Sequence, residues 1–165
     1  MNCILLFPLV QNITGPIPSE FASLSALEQL TLYDDKISGM IPTELGLLPN
    51  LGALWLYNNR MSGSIPSELG RLSLLQRLDL NQNLLGSTIP TELAKLQRMW
   101  ELHLSNNALT GTVPSELGNL QSKHRALCHG CFLDCDDHLT SNIVFYLFLF
   151  FAAIPTVFRS SRIAS

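Results

Sequence analysis

Five prolines recur at a fixed spacing of 24 residues: Pro18, Pro42, Pro66, Pro90 and Pro114. An interval held that regularly means one structural unit copied and stacked, which constrains the fold more than any single motif could. The copies agree well beyond proline. Each repeats the phrase aliphatic–Pro–Ser/Thr–Glu, from Ile17, Pro18, Ser19 and Glu20 to Val113, Pro114, Ser115 and Glu116. Prolines at this spacing also exclude a long coiled coil, because each would break the helix that carries it.

One copy runs from Leu51 to Leu74. Around Leu54 and Leu56 apolar and polar positions alternate, the period-two pattern of a half-buried strand. Asn59 ends that strand, where an inward-turned side chain can bond the bare backbone groups of the bend. The same slot holds Asp35, Asn83 and Asn107, and Asp35 can accept there but cannot donate. Gly39, Gly63 and Gly111 share a slot that predicts a tight bend. The third copy has Ser87 there with Gly86 one residue early, which predicts a distorted bend. After each proline, Ser/Thr followed by Glu suits the start of a short helical turn. Leu45, Leu69, Leu93 and Leu117, with Leu48, Leu72, Leu96 and Leu120, then point back inward. No copy can enclose its own leucines, so a continuous core forms only by stacking.

The run from Leu51 to Gly70, LGALWLYNNRMSGSIPSELG, resembles the leucine-rich repeat of the plant-type subclass, with its Leu-x-Gly-x-Ile-Pro segment. Four copies cover residues 27–122, and a degraded copy precedes them over 1–26. The resemblance implies an α/β repeat solenoid, right-handed, with a parallel sheet lining a concave, partner-binding face. It also implies that the Ile-Pro segments add short strands beside that sheet, and an N-terminal cap with paired cysteines where this chain has only Cys3.

Net charge is −3 with no basic cluster, which argues against a nucleic-acid partner. After Ser122 the repeat phase stops. Residues 123–138 form a cysteine-containing cap or linker, in which Cys128, Cys131, Cys135 and His138 have ligand types suited to zinc. Their pairs stand too close together for the usual intervening loop, and no metal or other cofactor is expected. Residues 139–158 carry no charged side chain, and as a helix they would span about 30 Å, enough for a single membrane crossing. Asp134, Asp136 and Asp137 precede this segment, and Arg159 and Arg162 follow it in the tail 159–165. That asymmetry puts the tail in the cytoplasm and the repeats outside. A secreted protein or a cytosolic tail-anchored one is the alternative. Asn12, Ile13 and Thr14 form a glycosylation sequon.

Between the inward leucines, exposed strand positions form three ladders: Gln29, Ala53, Arg77, Glu101; then Thr31, Trp55, Asp79, His103; then Tyr33, Tyr57, Asn81, Ser105. Tyr33, Trp55, Tyr57, Arg77, Asp79, Glu101 and His103 are the candidate ligand-binding residues, since Trp, Tyr and Arg dominate binding hot spots. The same patterns admit a bland reading as ordinary strand decoration. A Ser105–His103–Asp79 hydrolase is conceivable on paper, but an open face offers no oxyanion hole or dry pocket, and no enzyme is expected. The expected function is recognition of a protein, peptide or carbohydrate by a membrane-anchored, receptor-like repeat protein without a kinase. A soluble scaffold or hydrolase inhibitor is the rival, and an inactive fragment of a longer receptor is a third possibility.

Overall fold

The computed structural model describes residues 4–6, 12–120 and 126–127. Within them lie ten short strands: β1 (Ile4–Leu6), β2 (Thr14–Gly15), β3 (Leu27–Thr31), β4 (Lys36–Gly39), β5 (Ala53–Trp55), β6 (Arg60–Ser64), β7 (Arg77–Asp79), β8 (Leu84–Gly86), β9 (Glu101–His103) and β10 (Ala126–Leu127). The odd-numbered strands and β10 build one sheet in the order β1-β3-β5-β7-β9-β10, and β2-β4-β6-β8 build a second. Every pairing is parallel. The first four coils each give a strand to the first sheet, then one to the second, and close with a helical turn; the coil of β9 passes to its turn without a strand in the second sheet. The expected parallel solenoid is therefore present. The cysteine–histidine run 128–138, the apolar segment 139–158 and Cys3 lie outside the described residues.

The core is the stacked aliphatic set. From one coil, Leu51, Leu54, Leu56, Met61, Ile65, Leu69 and Leu72 are all buried, and the same slots are filled in the coils on either side. Each buried leucine contributes about 1.5–3 kcal/mol, gained only because a neighbouring coil covers it.

The turns between strands are tied by the predicted asparagines. Asn59 Nδ2 donates to the carbonyls of Leu32, Leu56 and Tyr57, while its Oδ1 accepts from the Ile37 N–H at 3.1 Å. Asn83 and Asn107 repeat this one and two coils later. Asp35 accepts only, from the Ile13 N–H at 2.9 Å. Side-chain amides thus knit adjacent coils by bonding groups that burial would otherwise leave bare.

Three local expectations change. The helical turns, Ser19–Ser23, Thr43–Leu47, Ser67–Arg71, Thr91–Lys95 and Ser115–Asn119, are all 3-10. Proline occupies the N-cap, and no side chain caps it. The Ser/Thr is the first helical residue, and in the later four turns its hydroxyl lies 3.3–3.4 Å from the next glutamate. Second, the added strands lie just ahead of Ile-Pro rather than through it, with β6 ending at Ser64 before Ile65 and Pro66. Third, the bend at Ser87 is kept: Ser87 adopts φ 68, the left-handed region taken by Gly39, Gly63 and Gly111 at φ 84, 80 and 82. The third coil holds the shared bend with a residue for which that conformation is strained.

The two sheets differ in stagger. In the first, Leu30 pairs with Leu54, Leu54 with Leu78 and Leu78 with Leu102, one full period of 24. In the second, Ser62 pairs with Leu84 and Ser64 with Gly86, a separation of 22. Two residues is one side-chain repeat of a strand, so the slip preserves which side chains face inward. Successive coils are thus in phase with the 24-residue period at the first sheet and out of phase with it by two residues at the second.

Candidate ligand-binding surface

The first sheet carries the three expected ladders. Gln29, Ala53, Arg77 and Glu101 stand in register, as do Thr31, Trp55, Asp79 and His103. Backbone bonds from Asp34 N–H to Tyr57 O, Asn58 N–H to Asn81 O and Gln82 N–H to Ser105 O continue the order past the strand ends. Three members are not exposed: Thr31, Ala53 and Ser105 are buried. Their side chains are short, and longer rank neighbours such as Trp55 and Arg77 rise past them.

At the tyrosine end, Tyr33 and Tyr57 stack with ring centroids 4.5 Å apart and planes 6° from parallel. Tyr33 remains 39% exposed. Burial pushes the Tyr57 phenol up to about 12, helped by Tyr33 and by the carboxylates of Asp34 and Asp79.

At the strand entry, Arg77 is held between two indoles. Its guanidinium carbon lies 4.2 Å from the Trp100 ring centroid and 5.9 Å from that of Trp55. Arg77 also pairs with Glu101 at 3.4 Å. Trp100 was not among the residues expected to line the face, because it stands one position before the alternating ladder, in the rank of Glu28, Gly52 and Gln76. The available signal was that it is one of only two tryptophans, and directly precedes Glu101. A groove of about 390 Å³ runs along this lip, lined by Glu28, Asn50, Gly52, Gln76, Arg77 and Arg98 among others.

The charged end is internally bonded. His103 Nδ1 lies 3.7 Å from Asp79 Oδ2, and its Nε2 lies 3.3 Å from Glu101 Oε1. Asp79 Oδ1 accepts from the Asn81 N–H at 3.0 Å. Burial raises the Asp79 carboxyl above its ordinary value, against the lowering pull of that N–H and of His103. Ser105 donates its hydroxyl to Asn81 Oδ1 at 2.7 Å rather than to His103. The three members of the conceivable hydrolase triad are thus neighbours that do not form a nucleophile–base pair.

At the strand exits Asp34, Asn58, Gln82 and Asn106 are all left-handed, with φ 58, 53, 53 and 54. Asn58 Nδ2 donates to Asp34 Oδ1 at 2.6 Å. Away from the face, Asn12 is exposed with φ 79, and the exposed Thr14 of its sequon begins β2.

Parallel coils with a side-chain-bearing concave sheet define a leucine-rich repeat solenoid. The leucine-rich repeat family model matches residues 50–72, 74–96 and 98–120. Among solved structures, the plant peptide hormone receptor RGFR1 in complex with RGF2 is 35% identical over 75% of this chain and 20% of its own, with TM-score 0.71. The BIR2 ectodomain from Arabidopsis thaliana is 32% identical over 78% of this chain and 67% of its own, with TM-score 0.65. A plant ice-binding protein is 32% identical over 80% of this chain and 43% of its own, with TM-score 0.74. No curated protein sequence matches. The chain belongs to the plant-type leucine-rich repeat proteins, and it spans about a fifth of the length of the peptide-hormone receptor it resembles.

Proposed function

We propose that the concave face recognises a peptide or protein ligand, with the repeats held outside the cell as part of a membrane-anchored, receptor-like protein without a kinase. The observation that carries this reading is the aromatic surface along the concave sheet. Exposed Tyr33 stacks on half-buried Tyr57, and half-buried Trp55 and Trp100 flank Arg77, all four lying outside the aliphatic core. Solvent-accessible Trp, Tyr and Arg on one face are the usual material of binding hot spots. The likeness to a receptor in complex with a peptide hormone supports the same ligand class.

Anchoring rests on the uncharged segment 139–158, and the orientation on the arginines after it. Among the described residues no helix is long and apolar enough to cross a membrane. The deciding experiment is expression of the full chain in eukaryotic cells, with a glycosidase-sensitive mass shift expected at Asn12 and abolished by Asn12→Gln. A membrane-bound protein without the shift would put the repeats in the cytosol. A protein washed free of membranes by carbonate would favour the soluble scaffold. Trp55→Ala tests the face itself: folding is retained, and ligand affinity falls about thirtyfold, the effect of losing a hot spot worth about 2 kcal/mol. Loss of fold would make Trp55 a structural residue.

A further inference from the structure

The charge on the concave face is unbalanced. Glu28, Asp34, Asp79 and Glu101 stand in its ladders and rims, against Arg77 in the ladders and Arg98 on the rim beside Glu28. The one arginine within the ladders, Arg77, is paired with Glu101 and stacked on tryptophan. The imbalance is greatest around the tyrosines. Asp34 directly follows Tyr33, is exposed, and receives a hydrogen bond from Asn58. Among the described residues no basic side chain pairs with it. The charged groups that act on the Tyr57 phenol are the carboxylates of Asp34 and Asp79.

We propose that the Tyr33–Tyr57 stack, with Asp34 beside it, holds a basic side chain of an extended peptide ligand. This rests on the reading of the concave face as a ligand site and names the chemistry that site selects. An aromatic face attracts a cation through its quadrupole, and an adjacent carboxylate adds a charge-assisted hydrogen bond. The chain already uses the first of these internally, with Arg77 lying 4.2 Å from the Trp100 ring. Arginine suits the site better than lysine, since a planar guanidinium can lie along a phenol ring while donating to Asp34 at its edge. An acidic ligand group at this end would meet Asp34 and Asp79 with no free cation in the ladders to receive it.

The test is selection from a random peptide library displayed on phage against the immobilised full chain, followed by titration of synthetic copies of the selected peptides. Asp34→Asn is the informative variant, because Asn58 occupies the equivalent slot one coil later with φ 53 and the same fold. Enrichment of arginine and lysine, with affinity lowered about five- to tenfold by Asp34→Asn and a weaker salt dependence in that variant, is the expected result. Peptides that bind and are lost on Trp55→Ala, yet show no basic enrichment or ignore Asp34→Asn, would overturn the inference and leave ligand recognition standing. Failure to select any peptide would count against peptide recognition itself.

Discussion

The two ends of the concave sheet are made from the same backbone and hold together differently. In the coils of Tyr33 and Tyr57, the face is an aromatic stack whose surface is open. In the coils of Asp79 and His103, nearly every polar group is bonded to a neighbour: His103 to Asp79 and Glu101, Asn81 to Ser105, Glu101 to Arg77. A stack leaves its outer surface available to a ligand, whereas a closed polar network has already used its donors and acceptors. Binding energy is therefore expected mainly from the coils of Tyr33, Trp55 and Tyr57, with the charged end fixing orientation.

The sharpest way to break this contrast is Trp55→Ala, whose thirtyfold affinity loss should have no counterpart of similar size for His103→Ala. Comparable losses from both would mean the network is not closed towards ligand. Next in size is a stability difference. Asn81→Ala removes the acceptor for both the N–H and the hydroxyl of buried Ser105, at 2.8 and 2.7 Å, and should cost about 1–3 kcal/mol in urea unfolding. Tyr33→Ala, which removes one ring of an open stack, should cost less, with a stacking contribution of about 0.5–1.5 kcal/mol.

A smaller effect is pH-dependent. Because burial raises the folded Asp79 carboxyl above 3.8, the fold favours its protonated form more than the unfolded chain does. Its contribution is full below that value and is lost as pH rises through the raised one. Asp79→Asn should accordingly raise the urea midpoint at about pH 7 and leave it nearly unchanged at about pH 3. An equal shift at both would assign the effect to packing instead. Smallest is a spectroscopic change: the Tyr57 phenol should ionise only near 12, and Asp34→Asn should move that absorbance transition down. An unmoved transition would mean that the field of Asp34 does not reach the ring.

Much of this was legible in advance, because a repeat declares its own geometry. The period located Leu54 beside Leu30 and Leu78, and hence Trp55 beside Thr31 and Asp79, without any other information. Asp35 could be assigned an acceptor-only role from its chemistry alone. The bend at Ser87 was misjudged because the stacked coils on both sides impose their shape on a residue that would not choose it. Trp100 escaped because strand alternation describes the ladder and says nothing of the lip beside it. Thr31, Ala53 and Ser105 were counted as surface because alternation gives the direction of a side chain and not the height of its neighbours.

The sequence by itself determined the repeat unit, the identity of the core, the turn-tying asparagines and the order of side chains across the concave sheet. All of these follow from a 24-residue period and the two-residue alternation of a strand. Only the tertiary structure decided the 22-residue stagger of the second sheet, the clamp of Arg77 between Trp55 and Trp100, and the closure of the polar network around Asn81. Those depend on how one coil packs against the next, between residues a full turn apart, which no local pattern records.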